Sequence, residues 1–183
     1  MSNRKLVIRA ALAMAAGLGI ASSSWAATAT SNMNVSAAVV QTCTITASPT
    51  LNFGTYDPIS ANASSPLAGT STVSVKCTKG SSGITVDIGN GLHAVSTQRN
   101  MLGGTSGDSL AYNITQPATT TPYTSCAGST VWGSAAAGSV YTPTVVAWGT
   151  TPLTFTVCGS VPAGQNVGID ASYADTVQVS VAF

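Results

Sequence analysis

The sequence has 183 residues, of which only 6% are charged, and it contains four cysteines and one histidine. Three of its six Lys and Arg lie before residue 10, so the part from residue 27 onward has a net charge of 3 − 5 = −2. This part lacks the Lys/Arg clusters that phosphate backbones and acidic membranes attract, so we expect no nucleic-acid partner. Its length suits one domain with a hydrophobic core of its own.

Residues 1–26 have the pattern of a secretory signal peptide. Arg4, Lys5 and Arg9 form a basic start, residues 10–21 are an uncharged apolar run, and Ser24 and Ala26 are small residues at the two positions that signal peptidase reads. The apolar run is too short for a membrane span, which needs about 20 residues. We therefore predict cleavage after Ala26 and export.

Residues 27–42 precede the first cysteine and contain an alternating run of apolar and other residues. Met33, Val35, Ala37 and Val39 fall on one face of an extended chain, because successive side chains of a strand point to opposite sides. From this pattern alone, two interpretations stay open. The run is either an ordinary first strand of the domain or a spare strand.

The four cysteines, Cys43, Cys77, Cys126 and Cys158, contain no Cys-x-x-Cys pair, so we predict neither a zinc site nor any other metal or cofactor. In an exported protein, an even number of cysteines predicts disulfides. Three pairings are possible. We favour Cys43–Cys77 with Cys126–Cys158.

The rest of the sequence predicts an all-β sandwich of about seven or eight short strands. Alternating runs lie between clusters of Gly, Pro, Asn and Ser, and a Gly-rich turn at 103–107 predicts a hairpin. Residues 116–143 are predicted to be a long irregular connection that contains Trp132. The predicted strands cover residues 43–46, 70–77, 84–88, 99–102, 109–114, 153–158 and 175–183.

The last of these strands alternates strictly, with Val177, Val179, Val181 and Phe183 on one face. Val and Phe favour a half-buried sheet surface. No further strand follows to cover this one, which leaves an open edge that proteins either avoid or use. We interpret the edge as one that is used.

Catalytic chemistry has one candidate motif, Gly107-Asp108-Ser109-Leu110, which is found in a lipase–esterase family. A nucleophilic Ser needs a positioned base, usually His, and His93 lies upstream without the Asp-x-x-His arrangement of that family. We therefore interpret the motif as turn chemistry and predict no enzyme activity and no catalytic residues. Trp132 and Trp148 could line a carbohydrate site, although packing of the sandwich is the simpler role.

Several stretches in order resemble pilus subunits of the archaic chaperone–usher type, the spore coat protein U domain family. They are the alternating segment before Cys43, Leu51–Tyr56, Val73–Thr78, Arg99–Met101 with Leu110–Asn113, Trp132-Gly133, and Val161–Gln165 with Tyr173–Phe183. The long Thr/Ala-rich region at 116–150 and the second cysteine pair depart from the simplest pattern.

This resemblance implies an incomplete immunoglobulin-like sandwich, residues 43–183, that is completed by a donor strand from residues 27–42 of another subunit. Met33, Val35, Ala37 and Val39 would be the donor plugs. Val177, Val179, Val181 and Phe183 would form the edge of the acceptor groove and the chaperone contact, with the carboxylate of Phe183 as the chaperone anchor.

The implied partners are a periplasmic chaperone, an outer-membrane usher and neighbouring subunits in a head-to-tail homo- or hetero-polymer. The protein would then be secreted through the periplasm to a fimbria on the cell surface, for adhesion and biofilm formation. The alternative is a monomeric secreted β-sandwich that binds carbohydrate or coats a surface and uses residues 27–40 as its own strand.

Overall fold

The computed structural model describes residues 27–47, 50–120, 122–144 and 148–183. The chain divides into two units at Ala37 and Ala38. In the first unit, residues 27–37 are exposed and form no strand. All the strands belong to the second unit.

The second unit contains eight strands, as the alternating patterns predicted. A six-stranded antiparallel sheet has the order β1-β2-β6-β5-β4-β7, and β3 and β8 form a two-stranded sheet. One short 3-10 turn at Ser134–Ala136 is the helical element of the described residues. The strands are β1 (Cys43–Ala47), β2 (Leu67–Cys77), β3 (Thr85–Ile88), β4 (Arg99–Gly103), β5 (Ser109–Thr115), β6 (Leu153–Val161), β7 (Tyr173–Ala174) and β8 (Val179–Ala182).

The core lies between the two sheets, because the strands of each sheet direct their apolar side chains toward the other sheet. Val73 and Val75 of β2, Val86 of β3 and Phe155 of β6 are fully buried. The sequence therefore predicts the fold class correctly, since each of these residues occupies the apolar phase of a period-two pattern.

The last predicted strand is shorter in the structure. Residues 175–178 lie outside the strands, although the carbonyls of Thr176 and Gln178 still accept hydrogen bonds from Leu92 and Gly89. The break begins at Asp175, whose carboxylate accepts hydrogen bonds from distant parts of the chain, as described below. No helix of the described residues is long and apolar enough to cross a membrane.

Both favoured disulfides are present, Cys43–Cys77 and Cys126–Cys158. The first joins β1 to β2 at a position where the two cysteines face each other in the ladder. The second fastens the region after β5 to β6.

The described residues from 116 to 144 were predicted to be a connection, but they bridge the edge of β3 and pack into the core. Trp132 and Tyr141 are fully buried, their ring centroids lie 5.1 Å apart, and Tyr141 also contacts Phe155 at 5.2 Å. The indole N–H of Trp132 donates to the carbonyl of Val86 at 2.9 Å. This region therefore supplies part of the core.

Candidate functional site: an open groove between the sheets

The two edges of the small sheet are treated differently. On the outer side of β3, the backbone of Tyr141 exchanges two hydrogen bonds with Val86, at 2.9 and 2.8 Å. On the outer side of β8, no strand of the described residues pairs. β1 is likewise paired only with β2, so among the described strands the outer edges of β1 and β8 have no partner strand, as does that of the two-residue strand β7.

Two hydrogen bonds from the residues that follow β3 show which backbone groups near the last strand face away from β3. Gly89 N–H donates to the carbonyl of Gln178 at 2.8 Å, and Leu92 N–H donates to that of Thr176 at 3.2 Å. In an antiparallel pair, alternate residues bond to the partner and the others point away. Val177, Val179 and Val181 therefore direct their N–H and C=O groups to the outer edge.

A groove of about 440 Å³ opens beside this edge. We call it the inter-sheet groove, because both sheets line it. One wall is the segment 50–53 after β1, and the other is the segment 172–179 that leads into β8. Its apolar lining residues are Leu51, Phe53, Val73, Ile88, Met101, Tyr112, Ile114, Val157, Tyr173, Val177 and Val179.

Two facing glycines leave room for the wall at Phe53. Gly69 of β2 and Gly159 of β6 are opposite each other in the ladder. A Cβ at Gly69 would lie 2.9 Å from the ring of Phe53, and one at Gly159 would lie 2.7 Å from the ring and 2.9 Å from Leu51. The ring therefore rests on bare backbone, and any larger residue would push it from the sheet.

Asp175 fixes the other wall of the groove. Its carboxylate accepts the hydroxyl of Tyr112 at 2.7 Å, the backbone N–H of Leu92 at 2.9 Å and that of His93 at 3.2 Å. His93 Nδ1 also lies 3.2 Å from it. Gly91, with φ of 93°, leaves no space for a Cβ beside the carboxylate.

The same cluster sets the protonation of Tyr112. Burial raises the pKa of its phenol, and the hydrogen bond to Asp175 raises that pKa further. The hydroxyl therefore stays protonated and keeps donating to the carboxylate. A strong hydrogen bond to an ionised acceptor ties β5 to the residue that begins the second wall.

Arg99 of β4 holds the end of β3 in place. Its buried guanidinium donates to the carbonyls of Gly89 at 2.9 Å, Ile88 at 2.7 Å and Trp132 at 2.6 Å. Burial lowers the pKa of Arg99, and the nearby Tyr112, Asp87 and Asp175 oppose that shift. The three carbonyl bonds stabilise a cation that sits in the core.

The structure places the predicted edge residues as follows. Val177 and Val179 line the inter-sheet groove, and Val181 packs against the core. Phe183 is 56% exposed. In the first unit, the side chains of Met33 and Val35 are 85% and 87% exposed, and Ala37 is exposed.

Val39 belongs to the second unit and is 83% exposed. Residues 27–42 contain no strand, so the strand that their alternation predicted is not formed within this chain. The predicted signal peptide, residues 1–26, lies outside the described residues.

The candidate catalytic and carbohydrate residues are placed in other roles. Ser109 is exposed at the start of β5, and no hydrogen bond between described residues joins it to His93, which bonds to Asp175. Trp132 and Trp148 are buried, so neither presents an open ring to a sugar. Among the described residues, no group of three His, Cys, Asp or Glu side chains is placed to hold a metal.

Sequence reasoning missed three residues of the groove: Leu51, Phe53 and Asp175. Leu51 and Phe53 lie in irregular backbone, so their alternation over three residues was too short to assign a buried face. Asp175 follows the last residue of β7 and was placed at the start of the last predicted strand, with no role in the groove. Glycines at 69 and 159 were the available signal, since glycine inside a strand marks a close approach.

The chain is similar in sequence to a protein family and to one of its relatives. The Spore Coat Protein U domain family matches residues 29–180. Protein U of Myxococcus xanthus is 35% identical over a match of 154 residues. The match covers 73% of this chain and 72% of that protein.

A solved structure has a similar fold. It is the crystal structure of the CsuC-CsuE chaperone-tip adhesion subunit pre-assembly complex from archaic chaperone-usher Csu pili of Acinetobacter baumannii. The match has a TM-score of 0.50 and 22% identity, and it covers 79% of this chain. This chain spans 40% of the length of the matched chain.

Proposed function

Because the chain belongs to the Spore Coat Protein U domain family, we propose that it is a structural subunit of a chaperone–usher pilus that polymerises by donor-strand exchange. The observation that supports this most directly is the inter-sheet groove between two strand edges without a partner strand. An extended strand that enters the groove would pair its backbone with Val177, Val179 and Val181. It would also bury alternate side chains between the sheets.

The donor is the segment around residues 33–39 of another subunit. Met33, Val35, Ala37 and Val39 share one face of an extended chain, and the three larger ones are more than 80% exposed here. Burying each of these three would contribute about 1.5–3 kcal/mol, and each backbone hydrogen bond about 1 kcal/mol. Ordering the segment would cost about 1–2 kcal/mol per residue, so several plugs must act together.

Such a contact joins the N-terminal segment of one copy to the groove of the next. The two surfaces are different, so the contact repeats without closing and generates a fibre. In this proposal a periplasmic chaperone occupies the groove first and touches the edge from Val177 to Phe183. An outer-membrane usher then exchanges it for the next subunit, and the fibre stays on the cell surface as a fimbria.

We propose adhesion and biofilm formation as the use of the fibre, and the family resemblance supports this part. The alternative of a monomeric carbohydrate-binding sandwich gains no support from the buried tryptophans or from a segment 27–42 that forms no strand.

The test compares two charged substitutions on opposite faces of the donor segment. Val35→Asp places a carboxylate on the plug face, and Ser36→Asp places the same carboxylate on the other face. The exported chain is produced with its chaperone and usher, and the surface fraction is run on an SDS gel without boiling.

We expect a ladder that collapses on boiling for the unmodified chain and for Ser36→Asp, and at least a tenfold loss of that ladder for Val35→Asp. A charge buried without a partner is the physical reason. A single monomer band in all three samples would contradict donor-strand polymerisation.

A further inference from the structure

Residues 40–42, which join the donor segment to β1, are held by the turn after β2. The hydroxyl of Thr78 lies 3.1 Å from the carbonyl of Val40 and 3.3 Å from that of Thr42, and it accepts the N–H of Thr42 at 3.2 Å. Thr78 N–H also donates to the carbonyl of Thr42 at 2.9 Å. Gln41 adds a hydrogen bond from its amide to the carbonyl of Ser82 at 3.1 Å.

The holding residue is itself fixed from both sides. The carbonyl of Thr78 accepts the hydroxyl of Ser81 at 2.7 Å and its backbone N–H at 3.1 Å. On the other side, Cys77 is bonded to Cys43, the first residue of β1. Residues 40–42 therefore extend the β1–β2 ladder on the N-terminal side of β1.

Residues 40–42 therefore extend along the axis of β1 and do not turn back to form a hairpin beside its outer edge. For the donor segment to enter the groove of its own chain antiparallel to β1, residues 40–42 would have to form a reverse turn. Tight hairpin turns use Gly, Asn or Asp, which accept positive φ. Val40, Gln41 and Thr42 include none of these, and two of the three are β-branched, which disfavours such a turn.

A parallel insertion next to β1 is excluded by length. Parallel neighbours need a crossover connection of about a dozen residues or more. Between Val39 and Cys43 there are three residues. Of the two routes into the chain's own groove, the antiparallel one is therefore disfavoured by residues 40–42 and the parallel one is excluded by their number.

We propose that Thr78, together with Ser82, is a latch that excludes the donor segment from its own groove and so reserves the groove for a second copy of this chain. Thr78 is a positioning residue in this proposal, since it does not line the groove itself. The inference rests on the proposed function and adds to it the contacts within the chain that keep the donor segment from entering its own groove.

The experiment opens the latch and supplies a turn. Thr78→Val keeps the shape of the side chain and removes the hydroxyl, whereas Thr78→Ser keeps the hydroxyl. A triple variant, Thr78→Val with Val40→Asn and Gln41→Gly, adds a two-residue hairpin turn. Thr44→Val is the matched control, because its hydroxyl lies on β1 outside the latch and makes only a 3.5 Å contact with the carbonyl of Lys76.

The readout is the ratio of folded monomer to ladder in unboiled surface and periplasmic fractions. A folded monomer is counted only if size exclusion and slowed amide hydrogen exchange at residues 33–39 show that its donor segment is inserted. We expect the monomer to rise about threefold in Thr78→Val and at least tenfold in the triple variant, with Thr78→Ser and Thr44→Val unchanged.

Two kinds of failure are distinguishable. If the unmodified chain forms a ladder that Val35→Asp abolishes, but the triple variant has the same monomer ratio as the unmodified chain, the latch is wrong and the pilus function stands. If the unmodified chain is itself a monomer with an inserted donor segment, both proposals are overturned.

Discussion

Tyr141 covers the outer edge of β3, whereas no strand of the described chain covers the outer edge of β8. The covered side is dense with aromatic rings: Trp132 packs on Tyr141, Tyr141 on Phe155 and Phe155 on Tyr123, in tilted or edge-on pairs with centroids 5.1–5.2 Å apart. The open side has a groove of about 440 Å³ whose lining mixes aliphatic side chains with Phe53, Tyr112 and Tyr173. The difference teaches that a two-stranded sheet can be covered by its own chain on one edge while the other edge has no partner strand among the described residues.

The largest effect is expected from breaking the covered side. Trp132→Ala removes a fully buried ring and the hydrogen bond to Val86, and it should lower the free energy of unfolding by about 3–5 kcal/mol. Urea unfolding of the exported chain measures this loss. Val140→Ala, at a 37% exposed position in the same region, should change it by less than about 0.5 kcal/mol. A loss below about 1 kcal/mol for Trp132→Ala would show that this region is not part of the core.

A smaller effect is expected on the open side. Gly159→Ala places a methyl group 2.7 Å from the ring of Phe53 and 2.9 Å from Leu51, so the groove wall must shift. Overpacking of this kind costs about 1–3 kcal/mol, and a displaced wall should also weaken the unboiled ladder. Gly104→Ala, where a Cβ meets nothing within 4 Å, is the control. An intact ladder and unchanged stability in Gly159→Ala would separate Phe53 from the function of the groove.

The smallest effect is expected in an alkaline titration, which compares a tyrosine on the covered side with one on the open side. Burial raises the pKa of Tyr141 on the covered side and of Tyr112 on the open side, the latter with help from Asp175. A raised pKa means that the stability contributed by the neutral phenol is present below the unfolded pKa of about 10 and is lost as the pH rises above it.

Each tyrosine should therefore contribute a fall of about 1 kcal/mol in unfolding free energy between pH 10 and 11. Tyr112→Phe and Tyr141→Phe should each remove their share of that slope, which urea unfolding at several pH values measures. If Tyr112→Phe leaves the slope unchanged, the phenol on the groove side ionises in the folded protein as easily as in the unfolded chain.

Seven of the eight strands of the described residues could be predicted from the sequence because they are four residues or longer, whereas the two-residue strand β7 was not predicted. Val73, Val75 and Cys77 occupy the buried phase of β2 as the pattern predicts. Both disulfides were also predicted, although spacing alone allowed three pairings. The alternation of residues 33–39 was recognised, but these residues form no strand in the structure, and their pairing with another molecule is a proposal.

The covering of the β3 edge could not be predicted. Tyr123, Trp132 and Tyr141 lie in a segment rich in Thr, Ala and Gly whose only regular element is a three-residue 3-10 turn, so no periodicity marks a buried face. The Asp175 cluster was missed for a related reason: its partners at 92, 93 and 112 are far away in sequence and meet only when the sheets are in place.

That cluster has a consequence for how fast the groove can be used. The carboxylate of Asp175 holds the start of the accepting strand through bonds to Tyr112, Leu92 and His93 before any other chain arrives. A preformed site spends no binding free energy on ordering itself, so the entropic cost of association falls on the incoming segment alone. In the proposed polymer the acceptor would therefore be a preformed template, and the association rate would depend on how often the incoming segment is extended.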